Sequence, residues 1–294
     1  MHRVRSVLIP TSFIIITAFV LLFFQVAHSS SGRKWKKPSS DAPIFQGSAP
    51  QDILTRGTLR VGLTPGYLPF EVPTPTGELI GFDVELATEI TNAMNVKLEL
   101  VSLEWEDLIQ SLISNRIDII LTGMEITEER KQTISFVPYF IMGESVLIRS
   151  KDSAKIKTYN DLNNERYSVA FVKGYYYSEQ LAKTKLPNAK LVPYSDIHEC
   201  ANAMGSQLVD ALIANYASNS IVMLKLAPEP HTILPDLLTE NTLGIGYRKN
   251  DSELGIWLTT YITKIKQDGT FNKIEYKWFK DPTWFQSFFY TLTQ

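Results

Sequence analysis

One cysteine in 294 residues, Cys200, leaves the chain no intrachain disulfide. Its surroundings, HECANAM, carry no metal-ligand spacing, so a small buried packing residue is expected there. Four histidines, His2, His28, His198 and His231, stand far apart with no partner acid pattern. That argues against a metal centre and against triad chemistry, and no cofactor is called for. An excess of either charge is missing as well: 29 basic against 31 acidic side chains give a formal charge of −2. Nucleic acid is therefore not the expected main partner.

What is present begins with an address. His2, Arg3 and Arg5 precede an apolar run from Val7 to Ala27, with small residues at Ala27, Ser29 and Ser30. A cationic start, an apolar middle and a small-residue end describe a secretory signal. A run of about 20 residues is also long enough to anchor the chain in a membrane. Residues 1–29 are expected to serve as one or the other, placing the protein in the periplasm or another extracytoplasmic space. Residues 30–52 are rich in Ser, Pro, Gly and Lys without hydrophobic periodicity, the composition of a flexible linker. Arg33, Lys34, Lys36 and Lys37 around Trp35 suit either a solvated tether or anionic lipid headgroups.

The remainder, 44% hydrophobic over the whole chain, exceeds the usual size of a single core, so two lobes are expected. Leu59–Leu63 reads as a strand, Phe82–Asn95 as a helix with Phe82, Leu86, Ile90 and Ala93 in one stripe, and Lys97–Val101 as a second strand. A helix over Asp107–Asn115 and an unbroken apolar strand over Ile117–Leu121 complete βαβαβ, which predicts a parallel sheet covered by helices with ligands at its carboxyl ends. Val169–Val172, a helix after Gly174 and a buried strand over Asp210–Ala214 repeat that architecture.

Three blocks carry a resemblance: LRVGLTPGYLPFE (Leu59–Glu71), GELIGFDVELATEI (Gly77–Ile90) and DIILTGMEITEERKQTISFVPYF (Asp118–Phe140). In this order and spacing they closely resemble the extracytoplasmic solute-binding proteins of polar amino-acid importers, over roughly Gly57 to Asp281. The resemblance implies a two-lobed α/β periplasmic-binding-protein fold of type II, each lobe a mostly parallel sheet flanked by helices, joined by a double-crossover hinge. Lobe 1 would comprise residues 53–144 and 245–280, and lobe 2 residues 145–244, with the hinge at Ser145–Arg149 and Leu243–Arg248. Leu254–Gln267 would be the helix that returns to lobe 1. The aromatic tail 281–294, with Trp284, Phe285, Phe288, Phe289 and Tyr290, has no counterpart; it either packs on lobe 1 or faces a partner. No cysteine lies near the N-terminal segment, so the lipoprotein form common in such proteins is not available.

The resemblance also implies a ligand site. Tyr67 and Trp105 would form aromatic walls, each contact contributing on the order of 0.5–2 kcal/mol. Thr122 and Gly123 would line the loop between them. Thr127 would cap a helix that presents Arg130 to a ligand carboxylate, a two-pronged pairing that lysine does not reproduce. Three positions depart from the pattern. Glu125 stands where a hydroxyl usually donates to the carboxylate; it would pair with Arg130, receive a cationic ligand group or point away. After Gly174, whose loop amides could cradle an anion, Tyr176 replaces a small hydroxyl residue and should fill space. Asn215 replaces the acid that accepts the ligand ammonium.

A simple zwitterionic amino acid is thus not the expected ligand; a peptide, an amide, an amine-bearing metabolite or a modified amino acid suits the altered charges better. The expected function is delivery of a small polar, amino-acid-like solute to an ABC permease, by a monomer, without catalysis. Two other classes share the architecture. One is a sensory domain presented to a membrane receptor. The other is a dehydratase of prephenate-like ring acids, for which Glu125 is the one candidate acid.

Overall fold

The computed structural model describes residues 50–292, with side chains to Phe288. The expected signal or anchor, nearly all of the linker with its Trp35 cluster, and the side chains of Phe289 and Tyr290 lie outside the described residues. No helix among the described residues is long and apolar enough to cross a membrane.

Two five-stranded sheets organise the chain. In the first, β1 (Thr58–Leu63) lies between β4 (Lys97–Ser102) and β5 (Ile119–Ile120), parallel to both. Then β12 (Asn241–Tyr247) and β6 (Ser135–Met142) continue it in antiparallel pairing. In the second, β8 (Ser168–Val172) pairs parallel with β9 (Lys190–Tyr194) and β10 (Ala211–Asn215), while β7 (Glu144–Arg149) and β11 (His231–Ile233) add antiparallel. Each sheet is therefore parallel where βαβ units built it and antiparallel at the strands near the crossings. A short hairpin of β2 (Val72–Pro73) and β3 (Leu79–Ile80) stands apart.

After the short helix α1 (Gln51–Arg56), helices cover both faces of each sheet. In α2 (Phe82–Met94) the stripe Phe82, Leu86, Ile90, Ala93 is buried as its spacing requires, and Asn95 ends the helix in a left-handed conformation at φ 55°. With α8 (Ser252–Gln267) and α9 (Thr270–Phe279) it closes a core in which Phe82, Phe140 and Phe279 pack ring to ring at 5.2–5.3 Å. The opposite face of that sheet is covered by α3 (Leu108–Ile113), through Leu108 and Leu112. In the second sheet α5 (Tyr176–Lys185) takes one face; α6 (Ile197–Gly205), with buried Cys200, and α7 (Tyr216–Lys225) take the other.

The segments expected to hinge, 145–149 and 243–248, lie largely within these sheets. Ladder pairing of Ser145–Ile148 with β10 and of Leu243–Tyr247 with β6 fixes their dihedrals. The chain crosses just ahead of them, at Gly143 and through 234–240. There the two connections touch: Glu144 N–H donates to Thr239 Oγ1 at 2.9 Å, and a Cβ on Gly143 would lie 1.8 Å from the Thr239 carbonyl oxygen. Glycine is required by that approach.

The aromatic tail forms α10 (Pro282–Leu292), which packs inward. Trp284 lies 4.9 Å from the Trp278 ring and donates to the Trp278 carbonyl, and Phe285 is buried. Both α9 and α10 reach α7, which follows the second sheet's β10; Tyr216 sits 5.6 Å from Phe279.

Candidate functional site

The residues singled out in the sequence come to the carboxyl ends of five strands, the edge at which open α/β sheets bind ligands. Tyr67 follows β1, Trp105 follows β4, Thr122 to Glu125 follow β5, Gly174 to Tyr177 follow β8 and Asn215 ends β10.

On the first sheet's side, Arg130 is held in place from two directions. The Thr127 hydroxyl caps the short helix α4 (Glu128–Lys131) by accepting the Arg130 N–H at 3.2 Å. The guanidinium donates through Nη1 to the Glu125 carbonyl at 2.7 Å and lies 5.4 Å from the centre of the Trp105 ring. Its pairing is thus to the Glu125 main chain, and the other guanidinium N–H groups keep their capacity for a ligand. Glu125 itself is half-buried, bridged through its backbone to Leu243, and lines a hollow with Lys131, Ser135, Phe136 and Glu240. Trp105 remains 38% exposed, a ring facing solvent beside a fixed cation.

Tyr67 stacks on Phe70 at 4.9 Å and lies over Gly123, where a Cβ would come within 2.9 Å of the ring. Gly123 also has φ +60°, so both its space and its backbone demand glycine. Thr122 is buried at 1% exposure with its hydroxyl accepting the Thr64 N–H, so its side chain serves the scaffold beneath the cleft. Burial, then the charges of Glu71, Asp83, Tyr175 and Glu144, push the Tyr67 phenol well above its usual range.

Two carboxyls lie under this loop. Asp83 Oδ2 accepts the Gly123 N–H at 2.7 Å and the Tyr139 hydroxyl at 3.0 Å. Glu71, fully buried, has no donor in good geometry for either oxygen, and Asp83 Oδ1 has none either. The Asp83 carboxyl and the Thr122 hydroxyl act on the Glu71 carboxyl, the first raising and the second lowering its proton affinity. Two bare carboxylates in that position would repel, so one proton on the pair is favoured over two charges. Burial raises the proton affinity of both groups. A carboxyl raised on folding contributes stability below its unfolded value, and that contribution is lost as pH rises through the folded value. Wild-type thermal stability should therefore decline between about pH 5 and pH 8. In Glu71→Gln, whose amide donates without titrating, melting curves across that range should show a flatter profile. An identical slope in both proteins would place the titrating group elsewhere.

The second sheet's side differs from expectation in detail. Tyr176 begins α5 with its ring 70% exposed and edge-on to Tyr177, so it stands out in solvent instead of filling the cleft. The Gly174 N–H donates to Glu179 and the Tyr175 N–H to the Val172 carbonyl, so these two amides are already engaged. The Asn215 carboxamide oxygen caps α7 by accepting the Ser218 N–H at 2.8 Å, which leaves its NH2 to face outward as a donor.

The profile of the bacterial extracellular solute-binding proteins, family 3, matches residues 59–281. The chain belongs to that family. Its relatives include the histidine-binding periplasmic protein of Escherichia coli K12, 28% identical over 82% of this chain and 92% of that protein. An ancestral cationic amino acid solute binding protein aligns at a TM-score of 0.63 with 35% identity, over 78% of this chain and 99% of that one. An ancestral cyclohexadienyl dehydratase aligns at 0.67 with 30% identity, over 78% and 95%. This solute-binding protein thus has the two-lobed type II architecture of its family, with one sheet in each lobe.

Sequence reasoning missed Glu71 and Asp83, although each directly follows a core phenylalanine, because only the fold shows that they meet. It also missed Met142, whose sulfur is 3.8 Å from the Tyr67 hydroxyl, and Glu144, at the start of β7.

Proposed function

We propose that this protein captures an amino acid or related small polar solute in the cleft between its lobes and presents it to an ABC permease on the extracytoplasmic face of the membrane. The observation that carries this is Arg130, capped into position, held against Trp105, with one N–H on the Glu125 carbonyl and the others without a partner among the described residues. A fixed guanidinium beside an aromatic wall is suited to a carboxylate attached to a small organic group. The relatives support it, since those named for a ligand bind cystine, histidine or cationic amino acids. Closure would bend the chain at Gly143 and the neighbouring 234–240 connection, excluding water from the ligand. The protein would act as a monomer in the periplasm. Its finer ligand preference, for a free amino acid or for a peptide, amide or modified amino acid, rests on the residues that replace the usual acid and hydroxyls.

A thermal-shift panel tests this reading. Ligand at 100 times its Kd adds about 2.7 kcal/mol to the folded state, which moves Tm by roughly several degrees. The twenty amino acids, their amides and representative dipeptides, each at about 1 mM, should include at least one that does so, from among the compounds bearing a cationic group. The dehydratase relative makes prephenate the necessary control: no product should form. No shift with any compound, or turnover of prephenate, would overturn the proposal.

A further inference from the structure

In place of the acid missing at position 215, the second lobe carries one on the next strand. Glu144 is the cross-strand partner of Asn215 in the antiparallel ladder of β7 and β10. Directly opposed residues on such a ladder hold their Cβ atoms about 4.5–5.5 Å apart on one face of the sheet, so the two side chains share a position at the back of the cleft. One Glu144 oxygen, Oε2, accepts the hydroxyl of buried Ser178 at 2.6 Å, which fixes the carboxylate; Oε1 has no partner among the described residues. No lysine or arginine among the described residues neutralises it, and the group is half-buried. It stands at the start of β7, opposite the carboxyl end of β10.

An oriented, half-desolvated carboxylate with a free lone pair and no counter-ion has the chemistry to take a cation. Asn215 beside it has turned its oxygen into a helix cap and cannot do the same work. We propose that Glu144 binds the ammonium of the solute, opposite the carboxylate held by Arg130, so that the site takes a zwitterion after all. This rests on the functional reading above and narrows it to solutes bearing a free α-ammonium. The charge balance that position 215 alone appeared to lose is thereby restored one strand away.

The test uses L-arginine and Nα-acetyl-L-arginine, which differ at the α-ammonium, with titration calorimetry on the wild type, Glu144→Gln and the double variant Glu144→Gln/Asn215→Asp. Glutamine keeps an acceptor for Ser178, so the fold should survive, and circular dichroism checks that it does. L-Arginine should bind the wild type, weaken at least tenfold in Glu144→Gln, and regain most of its affinity in the double variant, where the acid moves to the neighbouring strand. Nα-Acetyl-L-arginine should bind the wild type at least tenfold more weakly than L-arginine and should be indifferent to Glu144→Gln. A purely structural role for Glu144 would not be rescued from position 215. Equal L-arginine affinity in wild type and Glu144→Gln would overturn the inference while leaving the binding function intact. No binding of L-arginine or of the other nineteen amino acids to the wild type would overturn the inference, and failure of the amides and dipeptides of the thermal panel as well would overturn the binding function.

Discussion

Asp118→Ala is expected to lower the stability of this protein by about 3 kcal/mol. Asp118 is completely buried at the foot of the first sheet, where Oδ2 takes Arg56 Nη2 at 2.6 Å and the Arg60 backbone N–H at 2.8 Å. Oδ1 takes Arg60 Nη2 at 2.7 Å, and Arg248 lies 3.9 Å away while donating to the Ile117 carbonyl. Removing one partner of a buried pair typically costs about 3–5 kcal/mol, because the remaining charge stays desolvated. Arg56 keeps 35% of its side chain in solvent and can rehydrate, which places the expectation at the low end. For a protein of this size that corresponds to a fall in Tm of roughly 6–12 °C. Asp118→Asn should lose less, since its oxygen can still accept the Arg60 N–H. Burial alone would raise the Asp118 carboxyl, yet the bonds from Arg60 and the charge of Arg56 overcome that and hold it low. A depressed carboxyl contributes stability above its unfolded value and loses it as pH falls through the folded one, so the acid limb of wild-type unfolding should flatten in Asp118→Ala. Wild-type melting in Asp118→Ala would show that the arginines, not the acid, organise this corner.

Arg130→Ala should weaken ligand binding about 30-fold or more. Truncating one side of a half-buried, hydrogen-bonded charge pair costs about 2–5 kcal/mol, and each 1.4 kcal/mol is tenfold. The lower figure applies because Trp105 beside it is partly open to water. Arg130→Lys should recover only part of the loss: an ammonium keeps the charge but cannot hold the Glu125 carbonyl and a carboxylate with one planar fork. The amino acid giving the largest shift in the thermal panel is the probe, titrated into all three proteins. Unchanged affinity in Arg130→Ala would mean that the guanidinium serves only to tie the loop after β5 to Trp105.

Periodicity carried most of the fold. The stripe Phe82, Leu86, Ile90 and Ala93 could only be one face of a helix, and the unbroken apolar runs around Ile119 and Ile213 could only be buried strands. Local chemistry was equally legible where it is complete within a few residues: Thr127 and Arg130 are three apart, so a capped helix start followed from spacing. The hinge was harder to place, since extended residues on either side of a crossing look alike and only ladder pairing distinguishes Gly143 from its neighbours. The course of Tyr176 was also beyond sequence, because whether a ring at the first turn of a helix points into a cleft or into solvent depends on the approach angle of the chain.

The sequence by itself determined the two-lobed architecture and the family, because these rest on chain length, apolar spacing and short-range motifs. Tertiary structure decided the charge balance of the site. Glu71 and Asp83 meet because the backbone of 69–70 folds onto the first turn of α2, and Glu144 stands beside Asn215 because strand register pairs residues 71 positions apart. A carboxylate's charge state and its partner depend on distance in space and on access to water, and neither is written in the order of residues along the chain.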